Sequence, residues 1–365
     1  MKKLLLLGGG HAHLNVLRDF ARERAAGAEV MLVSAHARQF YSGMLPGLVA
    51  GRYRPEDCAI PLVPLAEAAG AAFVEAKAVA LDAAARCVTL ADGRRVEYDV
   101  LSLDTGAGTD RDRLFGAREH ALFVRPVETF VALLEPLWAL AARKPLDVVV
   151  VGGGPAGVEL ALAFAHRLRG GEARIALVTG GAEPPAGYAP AVVSRVRGRL
   201  ARARVTVLRE ACVAIDAQSV ALANGARLAC DAPVVATGAD APRWLAASGL
   251  ALDDAGYLRT APTLQSVSHP EVFAAGDVAG PRGGVHAVRA GPALALNLRR
   301  YVGGGALQAH RPQRRALNLI ASGDAGAIAA WGGMSASGRW VGWWKERIDR
   351  AFVARFNGVT RSDGR

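Results

Sequence analysis

Cysteine is scarce in this 365-residue chain, and its four copies stand apart: Cys58, Cys87, Cys212 and Cys230 make no C-x-x-C, no C-x4-C and no zinc-type spacing. A dithiol redox centre or a metal site built from neighbouring cysteines is thereby excluded. No metal ligand set is expected, and free thiols in reducing, cytoplasmic surroundings are. No apolar run reaches the ~18 residues of a spanning helix. Met1-Lys2-Lys3 followed by Leu4 to Leu7 imitates a secretory signal, but four leucines fall short of an apolar core of ~7–15 residues. Lysine is scarce too, supplying only five of the 44 basic residues. The net charge of +11 comes from arginines scattered among alanines, without the basic–aromatic arrays of a nucleic-acid binder. What is abundant is apolar: 52% of residues against 21% charged, the composition of a folded globular chain long enough for two domains.

The chain opens "MKKLLLLGGGHAHLNVLRDF". An apolar run meets three glycines, and a histidine, His13, stands where a G-x-G-x-x-G fingerprint has its third glycine. One such motif is a weak signal. A second, intact copy lies in "DVVVVGGGPAGVELALAF", with Gly152, Gly154 and Gly157 between a β-branched run and an apolar helix. There the first glycine makes the tight turn and the second admits a pyrophosphate to the backbone. The third lets helix and strand pack closely.

Downstream of each glycine cluster comes a shared pattern. The steps Val88–Gly93–Asp99–Gly106 and Val220–Gly225–Asp231–Gly238 are equal, with Asp92-Gly93 and Asn224-Gly225 as hairpin dipeptides. A strand–glycine turn–helix–meander–"TGA" unit is therefore present twice, and the repetition rescues the first motif. A third element, "HPEVFAAGDVAG", belongs to neither copy; it puts Asp277 at the end of an apolar strand, where open α/β sheets bind ligands.

Two fingerprints, two TGA-type turns and a late "FAAGD", in that order, resemble the flavoproteins with two dinucleotide-binding domains, the pyridine nucleotide-disulfide oxidoreductase superfamily. The resemblance implies FAD on Gly8, Gly10, Gly106, Gly276 and Asp277, with Ser34 toward the adenosine ribose and His11 or His13 as neighbours of the diphosphate. It implies NAD(P)H as donor on Gly152, Gly154, Gly157 and Glu159. Two readings of His13 stand: a packed histidine behind a widened helix–strand gap, or a polar neighbour of the diphosphate. The acidic ribose-binding residue expected ~20 residues after each fingerprint is absent, with Ser34 and Thr179 in its place. NADH against NADPH is left open.

The segment "RQFYSGMLPGLVAGRY" has no cysteine where disulfide reductases carry their pair, and Cys58 and Cys87 do not match sulfide:quinone reductases. What remains resembles type II NADH dehydrogenases. "GGGHAHLNVLR", "YSGMLPGLVAGRY" and "AVRAGPALALNLRR" resemble most closely the oxidoreductase-like proteins sometimes fused ahead of selenophosphate synthetase, here in a stand-alone form. The implied reaction is hydride transfer from NAD(P)H to FAD, then electron delivery to a small-molecule acceptor, a quinone in the first reading. The runner-up is a flavin-binding, redox-sensing partner protein in selenium metabolism. The loop from Tyr41 to Pro46 and the segment from Gly284 to Pro292 are expected near the flavin ring, with His286 the one candidate for moving a proton.

The expected fold is α/β with two Rossmann-like dinucleotide-binding domains. The FAD domain is discontinuous (residues 1–118 and 239–310), the NAD(P)H domain (119–238) is inserted, and residues 311–365 form a small appendage. In that appendage "GRWVGWWKERIDRAFVARF" spaces Val341, Trp344, Ile348 and Phe352 as one helical stripe. The stripe is expected to pack on the chain itself or on a second copy in a homodimer, or to lie peripherally on the inner face of the cell membrane.

Overall fold

The computed structural model describes residues 1–280, 283–313 and 316–358. It is built on two five-stranded parallel sheets that share the arrangement of four strands and differ in the fifth, an edge strand that comes last in chain order in the first sheet and first in the second. The first sheet runs, edge to edge, Val272–Ala274, Val100–Leu103, Lys2–Leu7, Ala28–Ser34, Ala71–Glu75. The second runs Leu122–Phe123, Ala232–Val235, Asp147–Val151, Arg174–Val178, Thr206–Leu208. Leu4 to Leu7 and Val148 to Val151 are buried on both faces, which explains why these strands read as unbroken apolar runs rather than alternating ones.

Each sheet carries a fingerprint helix after its central strand, His11–Arg22 in the first and Pro155–Arg167 in the second. Each also carries a three-stranded antiparallel meander: Ala78–Asp82, Cys87–Leu90 and Arg95–Glu97, then Cys212–Ile215, Ser219–Leu222 and Arg227–Ala229. The hairpin dipeptides fold as expected. Gly93 and Gly225 take φ of +86° and +87°, and Asp92 and Asn224 each accept a hydrogen bond from the N–H two residues on. The first sheet is completed by Val272–Ala274, which follows the whole second sheet in the chain, so the second unit is inserted in the first. Where the chain leaves and returns, Gly108 and Asp240 exchange two backbone hydrogen bonds of 2.9 Å.

The helix Gly284–Gly303 crosses the first fingerprint helix closely, because a Cβ on Gly291 would stand 2.6 Å from that of Asn15. The appendage is an antiparallel sheet of Asn318–Ala321, Ala327–Trp331 and Met334–Gly338, followed by the helix Arg339–Asn357; residues 359–365 lie outside the described residues. No helix among the described residues is long and apolar enough to cross a membrane.

The stripe expected on the last helix divides in two. Val341 and Phe352 are buried with Val353 and Phe356, whereas Trp344 and Ile348 share the outer surface with Trp340 and Trp343. The helix packs against Ala327–Trp331, Met334–Gly338 and the strand Ala59–Pro61, so its buried face is set by its neighbours and not by the strongest period in its sequence.

Candidate functional site

At the first fingerprint, Gly8 takes φ of +98° and a Cβ there would lie 2.4 Å from the Asp104 carbonyl oxygen. Gly10 is the N-cap of the helix, and its missing side chain makes room for the Asp104 carboxyl, 2.4 Å from where a Cβ would be. That carboxyl accepts the N–H groups of Ala12 (2.7 Å) and His13 (2.9 Å), two of the donors every helix start leaves free. Burial pushes Asp104 up to about 7, opposed by these N–H groups and assisted by the nearby charge of Asp277.

His13 is wholly buried. Burial lowers its ring to about 4, so it is neutral near pH 7. Its Nδ1 lies 2.6 Å from the Gly8 carbonyl, which can only accept, so Nδ1 carries the proton and Nε2 accepts from the Ser102 hydroxyl at 2.8 Å. No ring nitrogen is left for a ligand. The second fingerprint shows the arrangement that His13 replaces: a Cβ on Gly157 would stand 1.9 Å from the Gly152 carbonyl oxygen. In one copy the helix closes on that carbonyl; in the other an imidazole bridges to it.

His11 behaves differently. Burial lowers it to about 4, Asp277 pulling the other way, and its buried Nε2 has no hydrogen-bond partner. Thr105, between Asp104 and Gly106, has an equally orphaned buried hydroxyl. Buried polar atoms without partners are rare enough to ask for a ligand. Gly106 (φ +71°) and Gly154 would each put a Cβ into open space, so backbone is bare at both turns. Ser34, buried at the end of its strand, accepts a long 3.4 Å hydrogen bond from the His36 N–H. These groups fit a dinucleotide with a diphosphate: bare backbone at Gly106 and Gly154, an orphaned imidazole and hydroxyl, and a hydroxyl at the strand end. When bound, FAD supplies the two-electron chemistry that none of these side chains has.

Asp277 Oδ1 accepts from the Gly283 N–H at 2.6 Å, and its other oxygen lies 3.8 Å from Arg125. Gly276 (φ +75°) again faces Asp104, 2.4 Å from a built Cβ. The fold thus gathers Gly8, Gly10, His11, Gly106, Gly276 and Asp277 around Asp104. His286 sits in the first turn of the helix Gly284–Gly303, half-buried; the His310 ring is held below its ordinary value by burial and then by the proximity of His286. Glu159 points out of the second fingerprint: its carboxyl accepts from the Ala321 N–H at 2.7 Å, and burial pushes it up to about 7 while Lys345 draws it down.

The last helix closes this region. Phe352 stacks on Tyr41 with ring centroids 4.4 Å apart, and both rings flank His11. Lys345 Nζ donates to the Gly43 carbonyl and to Asp349, each at 2.6 Å, and Tyr41 shares a hydrogen bond with Asp349. Burial raises both Asp349 and Tyr41, while Lys345 and the Tyr41 hydrogen bond draw Asp349 down. Sequence reasoning singled out the Tyr41 loop, which the structure places against His11, and did not single out Asp104, Thr105, Lys345 or Asp349. One signal was available: the first turn reads "DTGA" where the second reads "ATGA".

The family model for pyridine nucleotide-disulphide oxidoreductases matches residues 2–295. A NADH dehydrogenase-like protein of Mycobacterium tuberculosis is 31% identical over 303 residues, covering 77% of this chain and 74% of its own. The demethylphylloquinone reductase of a Synechocystis strain is 27% identical, covering 75% and 71%. The sulfide:quinone oxidoreductase of Aquifex aeolicus superposes with a TM-score of 0.81 at 19% identity, covering 99% of this chain and 93% of that one. By these matches the chain belongs to the pyridine nucleotide-disulphide oxidoreductase family, as an FAD-dependent enzyme with NAD(P)H as its electron donor.

Proposed function

We propose that the acceptor is a quinone, reached at a membrane surface through the C-terminal helix. The observation that carries this reading is the two-sidedness of that helix. Its inner face lays Phe352 on Tyr41 and His11, while its outer face leaves Trp340 59% and Trp343 64% exposed. Trp331 and Met334 of the preceding hairpin are also exposed. Tryptophans beside Arg339 and Arg347 suit a bilayer interface, where each buried ring contributes roughly 1.5–3 kcal/mol. A quinone takes up protons with its electrons, and the hydrogen-bonded groups of Tyr41, Asp349 and Lys345 lie beside the first fingerprint.

Thiol chemistry has no place in this reading. Cys58 is buried and pushed up to about 12, too high to supply a thiolate. The names of the Synechocystis and Aquifex proteins, both quinone reductases, support the acceptor class.

Anaerobic stopped-flow of the FAD-loaded protein tests the proposal. NADH or NADPH bleaches the flavin, and a short-chain menaquinone restores its colour far faster than dioxygen does. Restoration no faster than in air rejects the quinone. Bleaching by sulfide or selenide and by neither nicotinamide would point instead to the chalcogen chemistry suggested by the resemblance to selenophosphate synthetase-fused proteins.

A further inference from the structure

At the far end of the second fingerprint helix from its glycine turn, a cavity of about 460 Å³ opens between that helix, the helix Pro190–Arg202 and the turn at Ser322–Asp324. That volume falls within the range of small-molecule sites. Its lining begins at Leu162, about 12 Å along that helix from Gly154, and extends past the helix's C-terminus, about 20 Å from the turn. It is therefore not the nicotinamide site.

Arg169, Arg199, Arg202 and Arg204 line it, and Asp324 is the one carboxylate among the lining residues. Asp324 pairs with Arg199 at 3.2 Å. Arg169, Arg202 and Arg204 have no carboxylate partner among the described residues. Two helix C-termini end here, each equivalent to roughly half a negative charge. Counting these and Asp324 against four guanidinium groups leaves an excess of about two positive charges. Solvated helix ends alone do not require that surplus. His166 feels it: its ring is held below the ordinary value by burial and by the adjacent Arg169, 3.4 Å away.

A second observation concerns the backbone. Arg204 follows the end of its helix with φ of +55°, the left-handed conformation that glycine adopts without strain. The chain instead places a guanidinium there, on the rim of the cavity. Leu168, half-buried, and the buried Leu162 and Ile175 also line the cavity.

We propose that this cavity binds a small molecule bearing two or more phosphate groups. Arg169, Arg202 and Arg204, all exposed, hold the phosphates. The same phosphate chemistry is available from a lipid headgroup, and the experiment separates the two sources.

Isothermal titration of the FAD-loaded, full-length protein with sodium pyrophosphate is the test, run on wild type, on Gly154→Val and on Arg202→Ser/Arg204→Gly. Pyrophosphate is expected to bind one site, more tightly than orthophosphate and unaffected by Gly154→Val. The double variant weakens it tenfold or more, since two charge-assisted contacts are gone. Arg204→Gly relieves the left-handed arginine, so the melting temperature of the double variant is not expected to fall; lost binding with an unchanged Tm is loss of the site and not of the fold. Equal binding by the double variant, or loss only in Gly154→Val, overturns the proposal. So does arginine-dependent sedimentation with phosphatidylglycerol vesicles without any pyrophosphate binding.

Discussion

Replacing Asp104 by asparagine removes one charge and almost no volume, and its effect has a definite sign. The carboxyl sits under the start of the first fingerprint helix, accepting from Ala12 and His13 with one oxygen, a role the amide oxygen of asparagine can take over. Burial pushes the native group from an ordinary 3.8 up to about 7. The unfolded chain therefore loses this proton near pH 4, while the folded chain keeps it until about pH 7. A raised carboxyl stabilises the fold fully below pH 4, loses that contribution as pH rises to about 7, and contributes nothing further above it. At 1.36 kcal/mol per pH unit the whole effect is about 4 kcal/mol, an upper bound because a buried site relaxes around a charge. Asp104→Asn has no proton to lose. Its stability relative to wild type should thus rise steadily between pH 4 and pH 7 and stay level to pH 8. Urea unfolding of the apoprotein, followed by circular dichroism at pH 4.5, 5.5, 6.5 and 8, measures the difference directly. Parallel pH profiles for the two proteins would refute the reasoning, since Asp104 would then ionise alike in both states.

Five further outcomes follow from the geometry. Asp277→Ala should weaken FAD binding roughly ten- to a hundredfold, because a charge-assisted hydrogen bond is worth ~1.5–3 kcal/mol; flavin released on dilution and gel filtration reports it. Gly154→Val meets nothing within 4 Å, so the flavin spectrum should persist while sub-saturating NAD(P)H bleaches it more slowly in stopped-flow. Gly157→Ala drives a Cβ into the Gly152 carbonyl, and a loss of about 3 kcal/mol is expected in urea unfolding. Trp340→Ser/Trp343→Ser should abolish salt-resistant sedimentation with vesicles and leave FAD bound, whereas Phe352→Ala should keep the vesicles and loosen the flavin, because it bares Tyr41 and His11.

Much of the frame was legible because it is local. Gly152, Gly154 and Gly157 follow Val148 to Val151 directly, and the turn dipeptides Asp92-Gly93 and Asn224-Gly225 report their own φ. The equal steps to Gly106 and Gly238 announce a doubled unit without any knowledge of three dimensions. His13 was half legible: its spacing marked it as a packing position, but its two hydrogen bonds, to Gly8 and across 89 residues to Ser102, have no sequence signal. The stripe of Val341, Trp344, Ile348 and Phe352 misled, since helical period tells which residues share a face and not which face a neighbour will cover.

The sequence by itself therefore determined two nucleotide-binding units and the absence of a cysteine pair, both properties of short segments with their own geometry. Only the tertiary structure decided what meets at their edges. Asp104 reaches the N–H of Ala12 across 92 residues. Lys345 reaches Gly43 across 302. Four arginines converge on a cavity between two helix ends. Such contacts depend on how whole elements pack, and packing constrains volume and charge at a point in space without requiring any spacing along the chain.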